Sequence, residues 1–312
     1  MKKTIYSIII ISIFLFIFIY PLESVSTAKG GLMLWFNVII PNLLPFMILS
    51  NLIISLNAAS YITFLFAPFL KFLFGISKDG CYAVITGFLC GYPMGAKITA
   101  DLVTSHKISR SEGIYLLSFC NNVSPIFIIN YIINETFHSQ TLLKPVCIII
   151  YLSPILCAIV IRPLIRKNAM KYNDFSFSTC EAAVDFKLID NAILNGFEAI
   201  TKLGGYIILF ALLSQMLIHI PLQHTFLKYW MISLTEITNG LSIVSGSSLS
   251  FACKFIIVLT SVSFGGLSCV AQTQSMIKSS GLPIYYYILS KLLNLSFTLF
   301  LSIIYLFILN RS

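Results

Sequence analysis

The chain is a succession of long apolar runs cut by short polar punctuation. About 20 consecutive apolar residues are needed to cross a bilayer as helix. Ten stretches approach that length, at 5–20, 32–56, 61–75, 82–103, 114–133, 146–161, 197–220, 226–244, 251–276 and 284–309. This pattern predicts an all-α polytopic membrane protein. The third stretch is short for a full crossing, so it and the fourth either each span or form a re-entrant hairpin. The first follows Lys2-Lys3 and precedes small residues at 24–28; it is expected to stay as a helix, and a cleaved signal peptide would leave nine stretches.

Several runs are interrupted where a lipid-facing helix would not be. Gly91-Tyr92-Pro93-Met94-Gly95-Ala96-Lys97 sets two glycines, a proline and a lysine at membrane depth. Lipid satisfies neither freed backbone groups nor a buried charge, so such a segment needs protein or a water-filled cavity around it. A second interruption is Ser118-Phe119-Cys120-Asn121-Asn122-Val123-Ser124-Pro125. The other half carries Thr235-Glu236-Ile237-Thr238-Asn239-Gly240, then 261–274 with Gly265-Gly266, then Lys291 and Asn294.

The halves echo each other in order. Residues 47–56 lie over 211–220 at an offset of 164, 91–97 over 265–271, and Leu117 to Asn121 over Leu289 to Asn294, at offsets of about 173 to 174. If every stretch crosses, five crossings separate the repeats, and an odd number inverts the second copy. Inverted repeats with discontinuous helices are a transporter architecture in which solute is held where the broken helices converge.

Composition supports the membrane. The chain is 58% hydrophobic and 10% charged, with mean hydropathy +0.93, against about 25% charged in soluble domains. With the N-terminus inside, ten of the twenty basic residues lie in inner loops, six in outer loops and four (Lys97, Lys202, Lys254 and Lys291) within the apolar stretches. That bias fits the positive-inside rule. The net charge of +9 then points to anionic membrane lipid and to no nucleic acid. The eight cysteines include no Cys-x-x-Cys pair and the four histidines are scattered. Neither disulfides nor a metal site is expected, and Cys90, Cys120, Cys147, Cys157, Cys253 and Cys269 read as small hydrophobes. No hydrolase elbow, Walker loop or zincin motif is present. The chain is therefore not expected to be an enzyme or to carry a cofactor; transport, if it occurs, is passive or driven by an ion gradient.

Each candidate residue has a bland reading beside it. Lys97 lies on a pathway or snorkels to the interface. Glu236, flanked by Thr238 and Asn239, is a solute or ion ligand, or the structural partner of Lys254 or Lys97. Asn121, Asn122 and Ser124 offer amides and a hydroxyl at a Pro-broken helix, yet such groups also hold membrane helices together. Gln272, Gln274, Lys291 and Asn294 are their counterparts in the second half. Gly91, Tyr92, Pro93 and Gly95 shape the first break; Gly265 and Gly266 allow close backbone approach or aim a half-helix N-terminus at an anionic group.

Pro41-Asn42-Leu43-Leu44-Pro45-Phe46, Gly91 to Lys97, Ser118 to Pro125 and Phe264-Gly265-Gly266-Leu267-Ser268 together resemble the YlbJ family of sporulation integral membrane proteins, over nearly the whole chain. The resemblance implies a multi-pass protein of the bacterial inner membrane, in the mother cell or forespore, with a role in forming the spore cortex. The family is also similar to the nucleoside-transporter gate domain, found in concentrative nucleoside carriers and iron-transport GTPases. The Gln-Thr-Glu pattern of those carriers is at most echoed in Leu234-Thr235-Glu236. The expected organisation is a transmembrane helix at 1–28, gate-like repeats at 29–140 and 191–312, and a connecting helix and basic/polar loop at 141–190. The expected function is to move or bind a small polar solute between the two repeats, an ion being one candidate for that solute. The rival is a non-transporting scaffold that recruits cortex-assembly proteins through the loop 162–190.

Overall fold

The computed structural model describes residues 2–166 and 186–310, and every regular element among them is helical. Helix α1 (Lys2–Ile19) is followed, after a break at Tyr20, by α2 (Pro21–Leu34), which passes through a widened turn at Trp35–Ile39 into α3 (Ile40–Ser55). Pro21 opens α2 at a position where its missing N–H is no loss. Residue 28 thus falls inside a 35-residue helical run, Pro21–Ser55, and not at an element boundary.

Two short helices come next, α4 (Ala59–Thr63) and α5 (Ala67–Phe74). Gly75 ends α5 at φ +66°, and Ser77 caps α6 (Lys78–Cys90) by accepting a hydrogen bond from the Gly80 amide. The α5–α6 pair turns through 95°. Helices α7 (Met94–Thr104), α8 (Arg110–Leu117) and α9 (Pro125–Phe127) follow, the last continuing as a π-helical stretch, Ile128–Phe137, before α10 (Leu143–Arg166). The second half holds α11 (Phe186–Ile218), α12 (Thr225–Thr235), α13 (Ile237–Ser245), α14 (Phe251–Phe264), α15 (Gly266–Ile277) and α16 (Ile284–Leu309).

Among the described residues, five helical runs are long and apolar enough to cross a membrane: Pro21–Ser55, Gln140–Leu164, Phe186–Ile218, Phe251–Ser280 and Ile284–Leu309. The bent pair α5–α6 brings the number to six, against ten stretches expected. The shortfall has a physical cause. The stretches 114–133 and 226–244 are each divided into short helices by the interruptions within them, 82–103 is divided likewise and adds only α6 to the bent pair, and 5–20 falls short of spanning length at Ser7–Ile19.

Two apolar cores flank the centre. One packs α3, α6, α7, α8 and α11 around Met47, Tyr82, Ile98 and Leu203; the other packs the π-helical stretch with α10, α13 and α14 around Ile132, Val146, Leu241 and Val258. Helix α7 lies against α15, and α14 against α16, between them. Phe18, Phe72 and Phe300 face outward, as suits a surface in hydrocarbon. The inner face of α16 is polar instead: Tyr287, Ser290, Lys291, Asn294, Thr298 and Ser302 are all buried.

Candidate functional site at the meeting of broken helices

Helix α6 stops at Gly91, whose φ of +85° favours glycine and where a Cβ would come within 2.8 Å of the Ser124 amide nitrogen. After Tyr92-Pro93 the chain folds back, and α7 packs along α6. Glycines on both arms make this approach feasible. A Cβ on Gly87 would sit 3.0 Å from the Gly95 Cα, and one on Gly95 would sit 3.0 Å from the Asn121 Cα. Both would press on the Cys120 carbonyl. The unwound segment 118–124 therefore lies directly against the α6–α7 turn. It ends at Ser124, which caps α9 by accepting a hydrogen bond from the Phe127 amide (3.3 Å), with Pro125 at the first helical position.

The second half brings α14 to the same place. A helix leaves its last carbonyls without partners in the helix, and here the adjoining Gly265 and groups from far along the chain supply them. Gly265 N–H donates to the Ser261 carbonyl, the Tyr92 hydroxyl donates to the Val262 carbonyl (2.5 Å), and Lys291 Nζ and Asn294 Nδ2 donate to the Ser263 carbonyl (3.3 and 3.2 Å). Lys291 Nζ also donates to Asn122 Oδ1 (3.2 Å) and lies 5.5 and 5.7 Å from the ring centres of Tyr92 and Tyr287, close enough for cation–π attraction. The neighbouring Asn121 donates to the Thr273 hydroxyl (3.0 Å) and the Tyr287 hydroxyl (3.1 Å), and its Oδ1 accepts from the Ala96 amide in the first turn of α7 (3.3 Å).

Lys291 is 1% exposed, and none of the ion pairs among the described residues includes it. Its amino group is met by a helix carbonyl end, an amide and two aromatic faces, and no acidic side chain pairs with it among the described residues. A hydroxyl network continues along α16: the Thr298 hydroxyl lies within hydrogen-bond distance of the Ser263 hydroxyl (2.7 Å), the Ser153 hydroxyl (2.9 Å) and the Asn294 carbonyl (2.9 Å). The buried Asn294 Oδ1, Ser261 Oγ and Ser302 Oγ have no hydrogen-bond partner. A cleft of about 150 Å³ reaches this region, lined by Gly91, Tyr92, Val123 and Ser124 with Asn42 and Asn130.

Glu236 occupies the break between α12 and α13. Its Oε2 accepts from the Thr238 hydroxyl (2.6 Å) and the Asn239 amide (2.8 Å), so it caps α13. The lysine partners expected for it are engaged elsewhere. Lys97 pairs with Asp101 on its own helix (2.6 Å), and Lys254 donates to the Ser245 carbonyl (2.8 Å). Gln272 bonds Ser268 within α15 (2.9 Å).

Of the residues singled out in the sequence, the structure thus joins Gly91, Tyr92, Pro93, Gly95, Asn121, Asn122, Gly265, Lys291 and Asn294 into one cluster. Ser124 lines the cleft beside it; Thr238 and Asn239 surround Glu236. Gly266 (φ +75°) joins the two regions, because a Cβ there would lie 3.3 Å from the Leu234 carbonyl oxygen. Thr273, Tyr287, Ser263 and Thr298 belong to the cluster and were not singled out. The polar spacing 287, 291, 294, 298 and 302 on an otherwise apolar helix is the signal that points to the α16 members. The scaffold loop expected at 162–190 lies mostly outside the described residues.

No family model matches the chain, and no solved structure matches it. The sporulation integral membrane protein YlbJ of Bacillus subtilis (strain 168) is 27% identical over an alignment 324 positions long, gaps included, which covers 92% of this chain and 79% of that protein. Together with the apolar helices, this match supports assigning this multi-pass membrane protein to the family of the sporulation integral membrane protein YlbJ.

Proposed function

We propose that the chain is a secondary transporter, neither enzyme nor cofactor carrier, that serves spore formation and moves a small polar solute bearing a negative charge. The observation that carries this reading is Lys291: a lysine 1% exposed, without an acidic partner, set where three interrupted segments meet. Holding a charge at membrane depth is costly, and such residues concentrate on substrate and ion pathways. An anionic group on the solute supplies the missing counter-charge. Asn121, Asn122, Tyr92 and Tyr287 surround it with donors and aromatic faces.

The reading includes an inverted-repeat organisation, with units at 29–140 and 191–312 joined by 141–190, and a role in the spore cortex. Support comes from the paired interruptions and from the name of the Bacillus relative. The α6–α7 turn and the α14 end would be the gating parts, since each contacts the other through Tyr92 and neither is a continuous lipid-facing helix.

Uptake into proteoliposomes is the test, with a panel of small mono- and dicarboxylates, phosphate esters and uncharged nucleosides. At least one anionic compound should accumulate, and Lys291→Met should reduce its uptake by ten-fold or more while the protein still inserts and unfolds cooperatively. Uptake that survives Lys291→Met unchanged would overturn the assignment of the site. No uptake of any compound by well-folded protein would favour the scaffold.

A further inference from the structure

We infer that Glu236 is the binding site of a small cation, a sodium ion or a proton, distinct from the Lys291 centre. The inference rests on the transporter reading only in that the cation would then drive solute movement; binding itself is testable without any solute.

Glu236 is 5% exposed and lies on the single non-helical residue between α12 and α13. Its backbone therefore joins the carbonyl end of α12 to the amide end of α13, and its carboxylate caps α13, whose N-terminus offsets part of the negative charge. Breaks between half-helices are where transporters hold sodium ions and protons. The carboxylate has hydrogen bonds to Oε2 from Thr238 and Asn239, but no cationic side chain pairs with it among the described residues.

The groups on the surrounding elements do not supply that charge. Tyr131 of the π-helical stretch and Cys269 of α15 lie within electrostatic reach and neither is cationic; Glu135 of the same stretch is acidic, and no ion pair among the described residues joins Lys228 of α12 to Glu236. On α14, Lys254 is turned to the Ser245 carbonyl at the far end of α13; on α11, Lys202 is paired with Glu198 and His219 with Glu23. A buried negative charge so placed calls for a mobile cation. A route exists: a groove of about 440 Å³ lined by Glu23, Ser26, Thr27, Gln215, Asn239 and Ser242 reaches the residue whose amide holds the carboxylate. Its lining mixes these polar side chains with Leu22 and Ile243 and carries no lysine or arginine.

Thermal unfolding of the purified full chain in nanodiscs tests this, in sodium, potassium or choline chloride at one ionic strength and at several pH values across the neutral range. A ligand that binds only the folded state raises the unfolding temperature. If sodium is the cation, sodium chloride stabilises by several degrees over the other salts. If the proton is the cation, stability in choline rises as pH falls, and sodium adds nothing. In either case Glu236→Gln, which carries no charge to neutralise, should show a flat response.

A flat wild type, or a full response retained by Glu236→Gln, would overturn the inference. Should Glu236→Gln fail to fold, Glu236→Asp keeps charge and cap with a shorter reach. Its sodium or pH midpoint should move, and an unmoved midpoint overturns the inference as well. A cation response without uptake of any solute would sink the transporter reading and leave the cation site standing.

Discussion

The two glycine-marked interruptions, at Gly91–Pro93 and Gly265–Gly266, are alike in the sequence and unlike in the fold. The first folds the chain back, so that α7 packs along α6; the second leaves α14 and α15 within one 30-residue apolar run, Phe251–Ser280. The difference follows from their neighbours. At the first break Pro93 cannot donate to the preceding turn, and Gly87 and Gly95 remove the side chains that would keep the two arms apart. At the second there is no proline, Gly265 and Gly266 are adjacent, and helix resumes at Gly266 itself. A break becomes a turn only where small residues on both arms let the backbones close.

That account predicts its largest effect at Gly95. A branched side chain there would push on the Cys120 carbonyl and on the Asn121 Cα, which is 3.0 Å from an ideal Cβ. Backbone cannot yield as a flexible side chain does. Gly95→Val should cost about 3 kcal/mol or more, at the upper end for overpacking, and lower the yield of folded protein. Gly205→Ala is the control, because nothing lies within 4 Å of its Cβ position. Equal unfolding temperatures for the two variants would show that the α6–α7 approach does not depend on the glycine.

Gly265→Ala probes the other break and should be milder. A Cβ would press lightly on the Cys269 and Tyr92 side chains, 3.3 and 3.4 Å away, which can shift by a few tenths of an ångström, but φ is +93°. The cost is then backbone strain, about 1–3 kcal/mol, measured as a loss of unfolding temperature smaller than that of Gly95→Val. A larger loss at Gly265 would reverse the ranking and make the straight break the more demanding one.

How much of this was legible depends on the range of the interaction. The stretch 284–309 coincides with α16, and the break at Glu236 is where a polar cluster interrupts an apolar run; both are local patterns. The continuity of Pro21–Ser55 was hidden because Pro21, Glu23, Lys29 and two glycines read as punctuation, whereas Pro21 opens a helix and the rest are carried inside it. The Lys97–Asp101 pair was visible at i,i+4 spacing, and it separates Lys97 from Lys291, two lysines with the same apolar flanks. The contacts of Asn121 with Thr273 and Tyr287 span 152 and 166 residues. No periodicity encodes such a distance; only the order of the breaks hinted that the halves would meet.

The smallest predicted effect tests that meeting directly. Tyr92 is the side chain by which the folded-back break reaches the straight one, its hydroxyl donating to the Val262 carbonyl at 2.5 Å. Tyr92→Phe keeps the ring over Lys291 and removes only this donor. The Val262 carbonyl lies in the last turn of α14, where no amide of the helix is available to replace the hydroxyl, so the loss should be about 1 kcal/mol. A stability loss of that size, with the Lys291 site intact, would mean the hydroxyl couples the two breaks energetically. No change would mean that the α14 carbonyls are held well enough by Lys291 and Asn294, and that the two breaks are in contact through packing alone.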